Sequence, residues 1–272
     1  MQLLLGFGLA ALIGYLGYRR QALSKSGVVG AIITGGLIFG FGGLSGSALL
    51  LTFFFSSSAL SRFKESQKEK LAEKFSKGSQ RDLSQALANG GLAALCIVLW
   101  AITQEPVWWV AFATALATAN ADTWATELGV LNRTPPRLIT TGRVVEVGTS
   151  GGVSLGGTLA ALAGAALIAA VAFICLLLDP ALNRLFSLAP LLFFLITFFG
   201  LLASLFDSLL GATVQAIYYC ATCQKETERQ PVHTCGTATQ HRRGWRWLDN
   251  DWVNFLASAV GALLAGLMYR NF

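Results

Sequence analysis

Acidic side chains standing inside apolar segments are the residues of this chain best suited to chemistry. One such segment runs into Asn120-Ala-Asp122-Thr-Trp-Ala-Thr-Glu127-Leu-Gly129; another carries Ser204, Asp207, Ser208, Gly211 and Gln215 at helical spacing among leucines and phenylalanines. A carboxylate at membrane depth is costly to bury, so its default reading is a functional one. On an unbroken helix Asn120, Thr123 and Glu127 would share one face and Asp122 and Thr126 another, because residues three or four apart lie together. The two acids would then point about 140° apart, and one ion held by both would require the helix to unwind. The alternative is that they cap or solvate a helix end. Asp207 has no basic neighbour in its own segment. It faces Mg²⁺, a water-filled pocket or a cation from a loop, or else it is protonated and bonded to a neighbouring helix.

Between these segments runs Leu138-Ile-Thr140-Thr141-Gly142-Arg143-Val-Val-Glu146-Val-Gly148-Thr149-Ser150-Gly151-Gly152-Val-Ser154, where hydroxyls, glycines and a cation precede an apolar run. Glycine lets backbone N–H groups approach a ligand and a helix N-terminus attracts anions, so the pattern suits a phosphate cradle. It lacks the Gly-Lys-Ser/Thr ending of a Walker A loop. Arg133, Arg137 and Arg143 lie close by in sequence, which suits a polyphosphate. Further on, Cys220-x2-Cys223 and His233-x-Cys235 offer three thiolates and an imidazole. Tetrahedral Zn²⁺ takes four such ligands, and a site closed by all four would pin its loop rather than catalyse. Asn250 and Asn254 share a helical face where the last apolar run begins, as ligand contacts or, for Asn250 or Asp249, as a helix cap.

The elements that must position these groups are membrane helices. Only 12% of the 272 residues are charged and 54% are hydrophobic, too apolar for a water-soluble domain. Apolar stretches run over 3–18, 28–44, 47–60, 86–102, 107–121, 153–178, 190–214 and 253–269, which predicts an all-α bundle of about eight transmembrane helices forming a single membrane domain, 1–272. All Lys and Arg residues except Arg184 and Arg270 then fall on one side, taken as the cytoplasm, with both termini opposite. Three loops on that side stand out: a charged helix or loop over 61–85, a catalytic loop over 120–152, and a loop over 215–250 with the zinc candidate. Arg62 and Arg81 flank the first of them, near the depth of a lipid phosphate. The net charge of +6 sits in short loops beside spans, so anionic lipid or a phosphorylated substrate is the expected partner, not nucleic acid. Arg19, Arg20 and Lys25 follow the first span, the reverse of a secretory signal. With no transit peptide before it, a bacterial inner membrane or thylakoid is the expected location. Oligomeric state is left open.

Asn120-Ala-Asp122-Thr-Trp-Ala-Thr-Glu127-Leu-Gly129, Pro136-Arg-Leu-Ile-Thr140-Thr141-Gly142 and Gly148-Thr149-Ser150-Gly151-Gly152-Val-Ser154 occur together with three further blocks. These are Arg81-Asp-Leu-Ser-Gln85-Ala-Leu-Ala-Asn89-Gly90-Gly91, Asp207-Ser-Leu-Leu-Gly211-Ala-Thr-Val-Gln215 and Asn250-Asp251-x-x-Asn254. Over nearly the whole chain the set resembles the membrane family of plant phytyl-phosphate kinase and animal transmembrane protein 19. The resemblance implies a kinase that phosphorylates a prenyl monophosphate, with CTP as donor, giving the diphosphate used for tocopherol and related quinones. On that basis Asp122 and Asp207 hold Mg²⁺ with Glu127 nearby as the catalytic acids. Arg143, Thr149, Ser150, Gly151, Gly152 and Ser154 hold phosphates, and Asn89, Asn120 and Asn254 complete the polar shell. A transporter and a cytidylyltransferase making a CDP-lipid are the competing readings. The first predicts a polar path across the membrane, although polar residues gather on one half of the chain's spans.

Overall fold

The computed structural model describes residues 1–64, 80–132 and 134–272. Helix α1 (Gln2–Arg19) packs along α2 (Lys25–Arg62), which is two rods rather than one. Gly43 interrupts it with φ +57° and ψ −146°, a conformation that residues with a Cβ rarely adopt. The chain folds back there: a Cβ on Gly35 would stand 3.8 Å from Leu50, and one on Gly46 would stand 3.1 Å from the Ile38 carbonyl. Next come α3 (Leu83–Thr103), opened by a reciprocal cap between Asp82 and Gln85, and α4 (Pro106–Gly129), opened by proline at its first turn.

A two-stranded ribbon, β1 (Arg137–Leu138) against β2 (Gly152–Val153), leads into α5 (Leu155–Leu178). A 3₁₀ segment (Pro180–Leu188) precedes α6 (Ala189–Thr213). Strands β3 (Ile217–Cys220), β4 (Lys225–Thr227) and β5 (Gln240–Arg243) form an antiparallel sheet in the order β4-β3-β5, and α7 (Asn250–Tyr269) closes the chain. Counting the limbs of α2 separately gives eight helical rods among the described residues. Five of the helices are long and apolar enough to cross a membrane by length and composition, in a chain that is an all-α polytopic membrane protein.

Helix α4 is not one of the five, because its alanines, threonines, Asn120 and Asp122 hold its hydropathy down, and its surroundings make that composition tolerable. Every residue over 109–121 is buried, including Trp109, Phe112 and Leu116, because α2, α3, α5, α6 and α7 all pack on it. Alanines and threonines on α4 let these neighbours approach, the packing mode of helices inside membranes, and protein takes the place of lipid around it. The expected catalytic loop over 120–152 starts inside a helix: α4 continues to Gly129, its last two turns only partly buried along the cavity, and Asp122 is a helix residue. The loop over 215–250 is likewise not irregular, since it holds the three-stranded sheet. The charged helix expected over 61–85 lies, for 65–79, outside the described residues, as does Arg133.

Candidate active site

Where the ends of α3, α4, α5, α6 and α7 meet, a cavity of about 420 Å³ opens. Helix α4 contributes Asp122, Thr123, Thr126 and Glu127, and α6 contributes Ser204, Asp207 and Ser208. The far rim is the Gly-rich turn over 148–154, which folds because the β1–β2 ribbon closes its base. Gly151 has φ +83°, and a Cβ there would lie 2.4 Å from that of Ala212, so only glycine lets the turn settle on the end of α6. Ser154 caps α5, its Oγ accepting from the Gly157 N–H at 3.1 Å. A helix of 24 residues thus directs its N-terminal dipole toward the turn.

The acids are unequal in their partners. Glu127 accepts from Ser61 Oγ at 2.6 Å. Asp207 Oδ2 and Asn254 Oδ1 are both buried and have no hydrogen-bonding partner among the described residues. Asp122 and Glu228 both lie within Coulombic reach of Asp207. Unpaired buried acceptors and converging like charges are each unfavourable alone, and both are relieved by a bound cation. The donor set is all oxygen, which suits Mg²⁺. The acids therefore fit a divalent ion.

Opposite them stands Arg81. Its backbone is fixed to the turn between α1 and α2, donating to the Ala22 carbonyl at 3.0 Å and accepting from the Ser24 N–H at 2.9 Å. Burial pulls its pKa below the ordinary arginine value, and the charge of Glu127 pulls it back up. Its guanidinium carbon lies 5.3 Å from the centroid of the Phe53 ring. An arginine this close to the bundle interior is suited to an anion such as phosphate.

Over residues 8–262 the chain matches the family described as integral membrane protein DUF92. It belongs to that family. Among curated relatives it is similar to Protein PGR of Arabidopsis thaliana, 33% identical across 95% of this chain and 93% of that one. It is similar too to the membrane protein MJ0933 of Methanocaldococcus jannaschii, 30% identical across 92% and 87% of the two chains. Protein VTE6, chloroplastic, of Arabidopsis thaliana is 25% identical across 91% of this chain and 66% of that one. No solved structure matches.

Most residues singled out in this DUF92 sequence meet at the cavity: Asp122, Glu127, Asp207, Asn89 and Asn254, with Thr149, Ser150, Gly151, Gly152 and Ser154 on the turn. Two do not. Asn120 is fully buried away from the lining; its Oδ1 accepts from Ser56 and Ser57 at 2.9 and 3.3 Å, and its Nδ2 donates to the Gly164 carbonyl at 2.7 Å. Both polar atoms of its amide are engaged in joining α2, α4 and α5. Arg143 is exposed on the tip of the ribbon, and Arg137 is spent on the Gly142 carbonyl at 2.9 Å. Asp249, not Asn250, caps α7, which leaves Asn250 on the cavity wall.

Arg81, Gln85 and Glu228 also line the cavity. In the sequence Arg81 shows as a cation flanking the membrane and as the start of one block of the family resemblance, with no role attached. Glu228 had no signal at all, because the β-sheet brings it in. Gln215 explains how: its Oε1 accepts from Ser150 Oγ at 2.7 Å and its Nε2 donates to Glu228 at 2.8 Å, tying the Gly-rich turn to the sheet.

That sheet carries the cysteines. Donor atoms of Cys220, Cys223, His233 and Cys235 lie within 4.8 Å of one another, and three of the pairs, Cys220–Cys235 at 3.5 Å, Cys223–His233 at 3.6 Å and His233–Cys235 at 3.3 Å, match the roughly 3.3–3.8 Å between ligands of a tetrahedral zinc. Contacts with Thr237 and His233 pull the Cys235 thiol down to about 6, whereas Cys223, bonded to Cys235, is pushed up to about 11. A thiolate at Cys235 is the metal-binding form. The set fits zinc in ligand type, number and spacing.

Proposed function

We propose that this protein transfers the γ-phosphoryl group of a nucleoside triphosphate, CTP by family resemblance, to a membrane-dissolved prenyl monophosphate. The observation that carries this reading is the meeting, in one cavity at the ends of the spans, of an orphaned carboxylate, an arginine and a Gly-rich turn before a helix N-terminus. Phosphoryl transfer asks for that inventory, since it depends on positioning and charge stabilisation more than on a protein nucleophile. The two plant relatives carry different names at 33% and 25% identity, so the family is given by comparison and the reaction is argued from the site.

Asp122 and Asp207 would hold Mg²⁺, which when bound offsets the charge of the facing phosphates. The backbone over 148–154 and the α5 N-terminus hold the donor's phosphates, with Ser150 kept in place by Gln215. Arg81 holds the acceptor phosphate, and Glu127, fixed by Ser61, keeps the guanidinium in position. An acceptor oxygen forms a bond to the γ-phosphorus as the β–γ bridging bond breaks, giving prenyl diphosphate and nucleoside diphosphate. That oxygen is already anionic at neutral pH, so no general base is required. Zinc at Cys220, Cys223, His233 and Cys235 would fix the sheet that presents Glu228. By the positive-inside rule the cavity faces the cytoplasm, on the same side as Arg20, Arg62 and Arg81.

The test is to incubate the purified protein in detergent with Mg²⁺ and phytyl or geranylgeranyl phosphate, using CTP labelled at either the α- or the γ-phosphate. Label passing to the lipid from the γ-position alone is the expected result. Label from the α-position with pyrophosphate released would mean a CDP-lipid product instead. Zinc measured by elemental analysis should equal one per chain and vanish in Cys220→Ser.

A further inference from the structure

A second cavity, about 70 Å³, lies between α1, the two limbs of α2 and α3. Ala10, Ile13, Phe39, Leu50, Phe53 and Phe54 make most of its wall. Its polar side chains are Thr34, which spends its hydroxyl on the Gly30 carbonyl at 2.8 Å, and a cluster at one end: Arg81, Gln85 and Asn89. The same three residues line the larger cavity. The two spaces are therefore an apolar groove and a polar chamber with a common border, and a guanidinium stands on that border against the Phe53 ring.

A ligand that satisfies both sides must be anionic at its head and apolar immediately behind it. In the polar chamber the anion would face the Asp122 and Asp207 wall. In the groove, the atoms following the head would meet aromatic and aliphatic side chains with no spare hydrogen-bonding group. A glycerophospholipid sets polar ester groups directly behind its phosphate, and burying those without partners is costly. An isoprenoid phosphate sets hydrocarbon there from the first carbon. Resting on the function proposed above, we infer that this groove holds the head-proximal isoprenoid units of the acceptor, with Arg81 taking its phosphate at the mouth.

Gly90 forms part of the groove's lining, on the α3 side, where a Cβ would stand 3.5 Å from Thr34, an ordinary contact. Alanine is tolerated there, and larger side chains fill the groove. The experiment compares wild type with Gly90→Ala, Gly90→Val and Gly90→Leu on dimethylallyl, geranyl, farnesyl and geranylgeranyl phosphate, with melting temperature as the folding control. KM should rise about tenfold in Gly90→Leu for all four acceptors, since each carries the head-proximal unit and one or two methylenes' worth of its burial is lost.

A measurement that needs no turnover accompanies it: a geranylgeranyl phosphate carrying a diazirine near the head is photolysed with wild-type protein without nucleotide. Label on Leu50, Phe53 or Phe54, competed by geranylgeranyl phosphate and not by phosphatidic acid, is the expected result. Label on Ala161 or Leu205 across the chamber, equal competition by phosphatidic acid, or a KM for the prenyl phosphates unmoved through the Gly90 series would each overturn the groove assignment. Groove labelling with no transfer from any nucleotide would sink the kinase reading and leave the groove standing.

Discussion

Asn120 and Asp207 sit in neighbouring helices of one bundle, and the sequence treats them alike, as polar residues in apolar spans. The structure treats them oppositely. Asn120 has every polar atom committed, to two serines of α2 and a backbone carbonyl of α5, and no path to the cavity. Asp207 reaches the cavity with a buried oxygen that no group among the described residues satisfies. A buried polar group with full partners specifies how helices pack, whereas one without them waits for a ligand. In a bundle this apolar, that distinction separates architecture from chemistry.

The largest expected effect tests the unsatisfied member. Asp207→Asn or Asp122→Asn should lower phosphoryl transfer by about 10²–10³-fold with the helical circular dichroism unchanged. Arg81→Ala should follow, raising KM for the prenyl phosphate by about 10–100-fold, the loss expected of a charge-assisted contact, with Arg81→Lys recovering part of it. Asn120→Ala should reverse the pattern: thermal unfolding in detergent shows a loss of roughly 1–2 kcal/mol as α2, α4 and α5 lose their link, while turnover of the remaining folded protein changes little. The smallest effect belongs to Arg143→Ala, where nucleotide KM should stay within about twofold, since an exposed surface charge contributes little. Should Arg143→Ala match Arg81→Ala, the assignment of the phosphate-binding cation would be wrong.

The bundle itself was legible because hydropathy and the placement of basic residues are one-dimensional signals. Two separate spans over 28–44 and 47–60 are legible as adjacent apolar runs, though the break itself falls at Gly43, inside the first of them, and the cavity residues on α4 and α6 follow from carboxylates where lipid would forbid them. Asn120 lies outside the cavity lining because its partners, Ser56 and Ser57, stand far away in the chain. Arg143 lies outside it too, since proximity to the Gly-rich turn in sequence says nothing of which way the ribbon points. Glu228 was missed because a three-stranded sheet carries it to the cavity through Gln215, and no local pattern encodes that. Arg81 shows the intermediate case: its charge and membrane-flanking position were visible, but its place opposite Asp207 depends on the bridge to the α1–α2 turn.

The central claim is that Asp122 and Asp207 share a divalent cation that Asn120 does not help to hold. Electron paramagnetic resonance of Mn²⁺ titrated into the detergent-solubilised protein, with Mg²⁺ as competitor, measures this without any assumption about substrate. One Mg²⁺-competed site, present in wild type and Asn120→Ala and absent from both Asp122→Asn and Asp207→Asn, is predicted; Mn²⁺ bound equally by wild type and Asp207→Asn would contradict it.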